Sequence, residues 1–359
     1  MTPADIRQQR LRNQQIMAAT PGTPSALVGW LGAVQAQDYP AAIWALGLRL
    51  SGTTADALED AFTSGAILRT HIMRPTWHFV TPADIRWLLT LTAPNVHSAG
   101  RSRRRQLELD DSTFAAAETA LVRALEGGRQ LTRPELETVL QQAGIVLADS
   151  GRTTHLLMHA ELAGLICSGA RRMDQFTYAL LDERTPAVPA LTRADALAVL
   201  TQRYFTSHGP ATARDFAWWS GLKAADVRAG LALVAEQLQQ ATVDGQSYWF
   251  APTLPCAPAP SPTVQLLPNF DEYTVGYAER SLVTTQAPAL QLGPRGNVLF
   301  VHTIVLDGQV VGTWRRIRKK GVTVLETHLV QSLNAAQSDA LAAAAARYAE
   351  FLGMPIVVQ

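Results

Sequence analysis

Apolar positions fall repeatedly into one order along this chain. Two or three runs have helical spacing, and a short pair of alternating runs around a tight turn follows them. The order is clearest in the middle. Ser112 to Leu125 is Ala-rich and helical and stops at Gly127-Gly128. Thr132-Arg133-Pro134-Glu135 is a capping box, with Thr at the N-cap and Glu three residues on. It opens a helix through Leu136, Val139 and Leu140. A third helix covers about residues 152–162. Leu165–Ser168 and Phe176–Leu180 read as strands on either side of a polar turn.

The order returns after Pro186 and Pro189. Thr192 and Thr212 each start a box with Asp three residues later. The first leads a helix to Phe205, and the second leads into Phe216, Trp218 and Trp219. Lys223 to Leu238 reads as one long amphipathic helix, and Asp244-Gly245 turns a hairpin. The first stretch fits more loosely. Helices are expected over about 5–19, 24–34, 54–62 and 82–91, with a hairpin of Ile67–Ile72 and Thr76–Val80 around Arg74-Pro75. Residues 251–262 form a Pro-rich linker. Beyond it, strands are expected over 264–267, 298–306, 310–317 and 322–330, with a tight turn at Asp307-Gly308. A helix over 334–351 and a last strand over 355–358 complete the chain.

Three helices closed by a hairpin is the winged-helix pattern, a variant of helix-turn-helix. The pattern therefore predicts an α+β fold with three tandem winged-helix units, followed by a β-rich C-terminal domain with one helix. The expected divisions are 1–95, 96–185, 186–250, the linker 251–262, and 263–359. A generic α+β protein that never meets nucleic acid has the same local pattern.

Composition narrows the classes. At 359 residues the length suits two or three domains. The 47% apolar content is ordinary, and no run approaches the ~18 apolar residues of a membrane span. Met1–Asp5 lacks a basic-then-apolar signal pattern. Cys167 and Cys256 are too few for a disulfide framework or a zinc set. These features lead us to expect a reduced, cytoplasmic monomer without cofactor or metal. A formal net charge of +1 is not that of a uniformly basic nucleic-acid binder. Charge is instead local, in Arg101, Arg103, Arg104 and Arg105, and in Arg315, Arg316, Arg318, Lys319 and Lys320. Either cluster suits phosphates. The first also reads as a solvated loop, and the second as an edge strand charged against aggregation.

The candidate chemistry centres on Val34-Gln35-Ala36-Gln37-Asp38-Tyr39, where two glutamines flank one small residue as an apolar run ends. A buried glutamine must find partners for a carbonyl and an amide, so the pair marks either a polar site at a core's rim or a solvated helix end. His71, Arg74, Trp77 and His78 straddle the first hairpin and are candidates to line a groove near it. His155 and His159 have i, i+4 spacing but lack the adjoining Glu of a His-Glu-x-x-His metal motif. Asp271 and Glu272 are the best carboxylate pair. Read on a strand, they point to opposite faces, which favours bracing over acid–base work. No phosphate-binding or Gly-x-Ser-x-Gly motif is present.

Four segments together resemble one family. They are Val34-Gln35-Ala36-Gln37, His71 to His78, Leu266-Leu267-Pro268-Asn269-Phe270-Asp271-Glu272-Tyr273, and Asp307-Gly308 followed by Val311-Gly312-Thr313-Trp314-Arg315-Arg316. The chain is similar over nearly its whole length to the AlkZ/YcaQ-like winged-helix DNA glycosylases. The resemblance implies a monofunctional enzyme that releases alkylated purines and unhooks interstrand crosslinks, with tandem winged helices around a DNA groove. It places a catalytic Gln-x-Gln motif on Gln35 and Gln37. Asp38 stands one position late to supply the Asp of the family's Gln-x-Asp form. The partner implied is double-stranded DNA with alkylated purines, and the protein would be nucleoid-associated when bound to it.

Glutamine suits such a reaction. Alkylation at N7 or N3 gives a purine a positive charge and makes it a ready leaving group. Neutral carbonyl oxygens then suffice to hold water and face the developing sugar cation. Residues two apart on a helix diverge, so the pair converges only if the backbone leaves helical geometry, as Asp38-Tyr39-Pro40 suggests. The sequence leaves two other readings open: a non-catalytic winged-helix DNA-binding regulator and a protein-interaction scaffold.

Overall fold

The computed structural model describes residues 1–17, 22–252, 261–284, 297–319 and 322–359, with Arg318 as backbone only. Most of the expected linker, together with Cys256, Lys320 and the end of the first expected helix, lies outside the described residues.

Capping residues begin most of the helices. α1 (Pro3–Asn13) and α2 (Pro24–Leu31) start behind Thr2 and Thr23, each with Pro in the first turn. Gly32 ends α2 with φ of 81°, and the two-residue strand β1 (Val34–Gln35) follows. α3 (Tyr39–Gly47), capped by Asp38, was not expected from the sequence. Pro40 reads as a breaker there, but it occupies the first turn, where a missing N–H costs nothing. α4 (Ala55–Ser64) and the hairpin β2 (Leu68–Ile72) and β3 (Thr76–Val80) complete the first unit.

α5 (Ile85–Ala99) and α6 (Arg101–Gln106) connect it to the second unit. That unit is α7 (Asp111–Leu125), β4 (Leu131–Thr132), α8 (Arg133–Gln142), α9 (Ser150–Leu162), β5 (Ile166–Ser168) and β6 (Thr177–Leu180). A short α10 (Leu181–Arg184) leads to the third unit. It has α11 (Arg193–Ser207), α12 (Ala213–Ser220), α13 (Ala224–Leu233), β7 (Gln239–Val243) and β8 (Gln246–Phe250). The long helix expected to reach Leu238 ends at Leu233 and gives way to a 3₁₀ turn over Ala235–Gln237.

One order therefore recurs: helix, short strand, helix, helix, hairpin. In the first two units the short strand pairs with the second hairpin strand, giving sheet orders β1-β3-β2 and β4-β6-β5. In the third, a single bridge from Ala211 to Trp249 of β8 takes the short strand's place.

The C-terminal part is a five-stranded sheet, ordered β13-β12-β11-β10-β9, with α15 (Ala335–Leu352) against it. Its strands are β9 (Val264–Leu267), β10 (His302–Leu306), β11 (Gln309–Lys319), β12 (Val322–Leu329) and the parallel β13 (Ile356–Val358). Val298–Phe300, expected as strand, is a 3₁₀ turn. Asp271 and Glu272 are not on a strand either. Asp271 caps a one-turn helix, α14 (Glu272–Val275), of which Glu272 is the first residue. No helix among the described residues is long and apolar enough to cross a membrane.

Packing joins the first unit to the C-terminal sheet in one core. Trp44 of α3 meets Tyr348 and Phe351 of α15, with ring centroids 4.6 and 5.0 Å apart. α5 and the third unit share another core. The second unit has a cluster drawn only from residues 107–180.

Candidate active site

β1 exists because α2 must stop. A Cβ on Gly32 would lie 3.3 Å from the Trp219 ring, in a backbone conformation that side chains disfavour. The chain turns extended there and pairs Val34 with Phe79 and Gln35 with His78. The Ala36 N–H continues the pairing to the Trp77 carbonyl at 2.8 Å. Gln35 thus ends a strand, and Gln37 follows at a bend just before α3, so neither stands at a solvated helix end.

Their surroundings differ. Gln35 is 6% exposed, and its Oε1 is buried without a hydrogen-bond partner. Its backbone N–H donates to Glu272 Oε1 at 2.8 Å. Gln37 is exposed, and its Oε1 accepts from the Trp77 N–H at 3.3 Å.

Glu272 braces this segment from behind. It is 1% exposed and receives three donors: the Gln35 N–H, Trp219 Nε1 at 2.9 Å, and His208 Nε2 at 3.2 Å. Burial pushes a carboxyl up, but the hydrogen bonds from His208 and the Gln35 N–H outweigh it and hold Glu272 below its ordinary value. Burial lowers His208, which suits a neutral ring that donates Nε2–H to a carboxylate. Beside it, Arg49 forks onto Asp271 with two 2.8 Å bonds and also donates to the Gln14 carbonyl. The carboxylate pair singled out in the sequence therefore braces α1, α3, β1 and α12 at one point. Trp219, His208 and Arg49 carried no local signal for this role. Only the tertiary fold brings them in.

Beside Gln37 opens a cleft of about 550 Å³ lined by Asp38, Tyr39, Arg69, Arg171, Phe176 and Phe270. The Arg69 guanidinium lies over the Trp77 and Phe176 rings at 4.4 and 4.5 Å, and its Nε donates to the Ala36 carbonyl at 3.0 Å. Burial lowers it to about 10, so it remains a cation at neutral pH. Asp38 is fully engaged. One oxygen caps α3 through the Ala41 N–H at 3.2 Å, and the other accepts from Asn269 Nδ2 at 2.9 Å.

The expected groove residues separate. Trp77 is half-buried, and Arg74 lies over the Trp218 ring at 5.4 Å. His71 and His78 are buried and line no open surface. His71 pairs with the buried Glu161 and packs on Trp77. His78 donates from Nδ1 to the Thr76 carbonyl at 2.9 Å. Burial, assisted by the Arg74 charge, lowers it to about 3. His159 pairs with Glu118 at 3.0 Å and stacks on Phe114.

The basic clusters also differ from one another. Arg101 to Arg105 form helix α6 and not a loop. Arg101, Arg103 and Arg105 are exposed, while Arg104 donates to the His97 carbonyl at 2.6 Å. No carboxylate among the described residues forms an ion pair with α6. On β11, Arg315 and Lys319 both pair with Glu326, at 2.6 and 2.8 Å, and Arg316 is exposed.

Comparison with known proteins places this geometry. A family model described as "DNA glycosylase AlkZ-like" matches residues 28–351. A curated relative from Streptomyces sahachiroi, named "Interstrand DNA cross-link repair glycosylase", is 24% identical over 85% of each chain. The solved structure of Streptomyces sahachiroi DNA glycosylase AlkZ superposes with a TM-score of 0.79 at 21% identity, covering all of both chains.

Proposed function

This chain belongs to the AlkZ-like DNA glycosylase family, and on that premise we propose that it hydrolyses the N-glycosidic bond of cationic N7- or N3-alkylated purines in duplex DNA. Membership decides between the enzyme and the regulator that the sequence left open. The substrate, the residues and the mechanism are our reading.

In it, Gln35 and Gln37 are the catalytic pair. Gln35 Oε1 holds the attacking water, and Gln37 stands at the mouth of the cleft. The observation that carries this is the buried, unpartnered carbonyl of Gln35 at the end of β1, with an exposed Gln37 at the bend two residues on. Glu272 and the sheet fix the Gln35 backbone, and a buried carbonyl dipole carried on it needs little reorganisation as the sugar becomes cationic. An amide takes up no proton near neutral pH, so the chemistry is restricted to bases that leave without protonation. Uracil and neutral lesions should be left intact. No lysine adjoins the motif, in keeping with a monofunctional hydrolase without a Schiff base.

The cleft beside Gln37 gives room for a bulky adduct, and the relative's printed name supports extending the reading to interstrand crosslinks. The three recurring units are read as winged helices presented to DNA, with α6 and β11 on the phosphates. In this reading the protein is a monomer, cytoplasmic, and on the nucleoid when bound.

The test is release of free base from duplex DNA containing N7-methylguanine. Gln35→Ala and Gln37→Ala should each reduce single-turnover release by about a hundredfold or more. Release at the wild-type rate by both variants would remove the site assignment.

A further inference from the structure

Gln35, His78 and Thr70 form one lateral row across the first sheet. His78 is the register partner of Gln35 on one side and of Thr70 on the other. Directly opposed residues on neighbouring strands share a face, with Cβ atoms about 5 Å apart. All three are buried, and one polar atom of each has no hydrogen-bond partner: Gln35 Oε1, His78 Nε2 and Thr70 Oγ1. Thr76 Oγ1, two residues from His78 and on the same face, is a fourth. Native interiors hold only a few such atoms in about every hundred residues, and here four meet on one face.

The chemistry of the row says what it takes. His78 Nδ1 donates to the Thr76 carbonyl, so Nε2 is a bare lone pair. Gln35 Oε1 is also only an acceptor. Two acceptors at paired register positions cannot satisfy each other, and a group with two protons to give can satisfy both. Water has two, and it is the nucleophile of the reaction. Arg74 from the turn, Glu272 from α14 and His71 from β2 are the charged or titratable groups that face His78.

We propose that His78 is the second acceptor for the attacking water, which donates one proton to Gln35 Oε1 and the other to His78 Nε2. This rests on the catalytic reading of Gln35 above. The water's lone pair is left for C1′. As its oxygen bonds to C1′, the C1′–N bond breaks and its electron pair goes to the cationic base, which leaves neutral. The oxygen, now an oxonium on C1′, gives its surplus proton to solvent. His78, fully buried and held below its ordinary value by burial and the Arg74 charge, stays neutral and orients the water without taking the proton.

The experiment is single-turnover release of N7-methylguanine by the full chain, with affinity for the undamaged duplex measured in parallel. His78→Phe keeps ring size and removes the acceptor. It should lose about a hundredfold in rate with affinity unchanged. Paired with Gln35→Ala, it should cost little more than the worse single change, because both hold one water. His78→Gln restores a carbonyl and should recover at least about tenfold of the loss. It is also the variant to use if the phenylalanine chain does not fold. A near-wild-type rate for His78→Phe, additive losses in the double variant, or no recovery in His78→Gln would each overturn the assignment. Wild-type rates in Gln35→Ala and Gln37→Ala would instead overturn the proposed function beneath it.

Discussion

Glu272 shows how much one residue can hold. Its two oxygens take donors from β1, α12 and the His208 side chain just past α11, so it fixes the Gln35 backbone to the third unit. Replacing it with Gln presents an NH₂ to groups that themselves donate. A buried donor left without its acceptor costs about 1–3 kcal/mol, and Glu272→Gln should cost at least that at pH 7. Because its folded-state pKa lies below the ordinary 4.5, the stability it contributes is complete above that value and lost as pH falls through the folded one. The urea midpoints of the variant and wild type should therefore converge in acid. A gap that stays constant from pH 7 to about pH 3 would contradict the role assigned to the charge. The sequence singled out Asp271-Glu272 and favoured bracing, but it assumed a strand. The real geometry is a cap and a first helical residue, because the Asp271 side chain takes up the Tyr273 N–H at 2.9 Å. The burial of His71 and His78 was equally hidden. Nothing local distinguishes a groove histidine from one that packs against another unit.

At the scale of elements, much of the fold was legible because caps are local. Thr54, Thr132, Thr192, Thr212 and Asn334 each stand at the N-cap of a helix, four of them with side-chain bonds to the first turn. The failures have physical causes. β1 is too short for periodicity and is held by β3 and Glu272, both distant in sequence. α13 was overextended because Val234 and Leu238 continue its apolar face after the backbone has left the helix. α3 was missed altogether, and its packing rests on one small residue. A Cβ on Gly47 would meet Phe351 ring atoms at 2.3, 2.6 and 2.8 Å. Gly47→Ala usually helps a helix, but here it should destabilise by about 1–3 kcal/mol through overpacking against α15. Thermal denaturation checks this. A rise in midpoint would mean that this close approach does not hold the C-terminal helix in place.

For the whole molecule, the placement of charge makes the phosphate grip testable. α6 offers three exposed arginines with no paired carboxylate among the described residues, whereas Arg315 and Lys319 share Glu326. Duplex affinity should fall as salt rises. Substituting Arg101, Arg103 and Arg105 together by Ala should flatten the log–log slope by up to about 0.9 for each phosphate no longer neutralised. Arg315→Ala should change it less. Equal effects from both would show that Glu326 releases its partners when DNA arrives. Packing at this scale is uneven. The first unit shares its interior with the C-terminal sheet, and the third with α5, while the second keeps most of its interior in a cluster between residues 107 and 180 and lends Leu162 and Cys167 to the core of α5. It meets the first unit through apolar contacts, with Phe176 against Tyr39 and Phe62 and with Leu162 and Cys167 in one core with Leu68 and Ile72, and through polar links such as the Arg69 N–H to Ser168 Oγ at 2.8 Å and Arg171 to Glu59 at 2.9 Å. A cluster drawn from one stretch of chain can still come undone, or survive, while its neighbours do the opposite. A two-state description then has no single free energy to report, and one melting temperature would average events belonging to different parts of the chain.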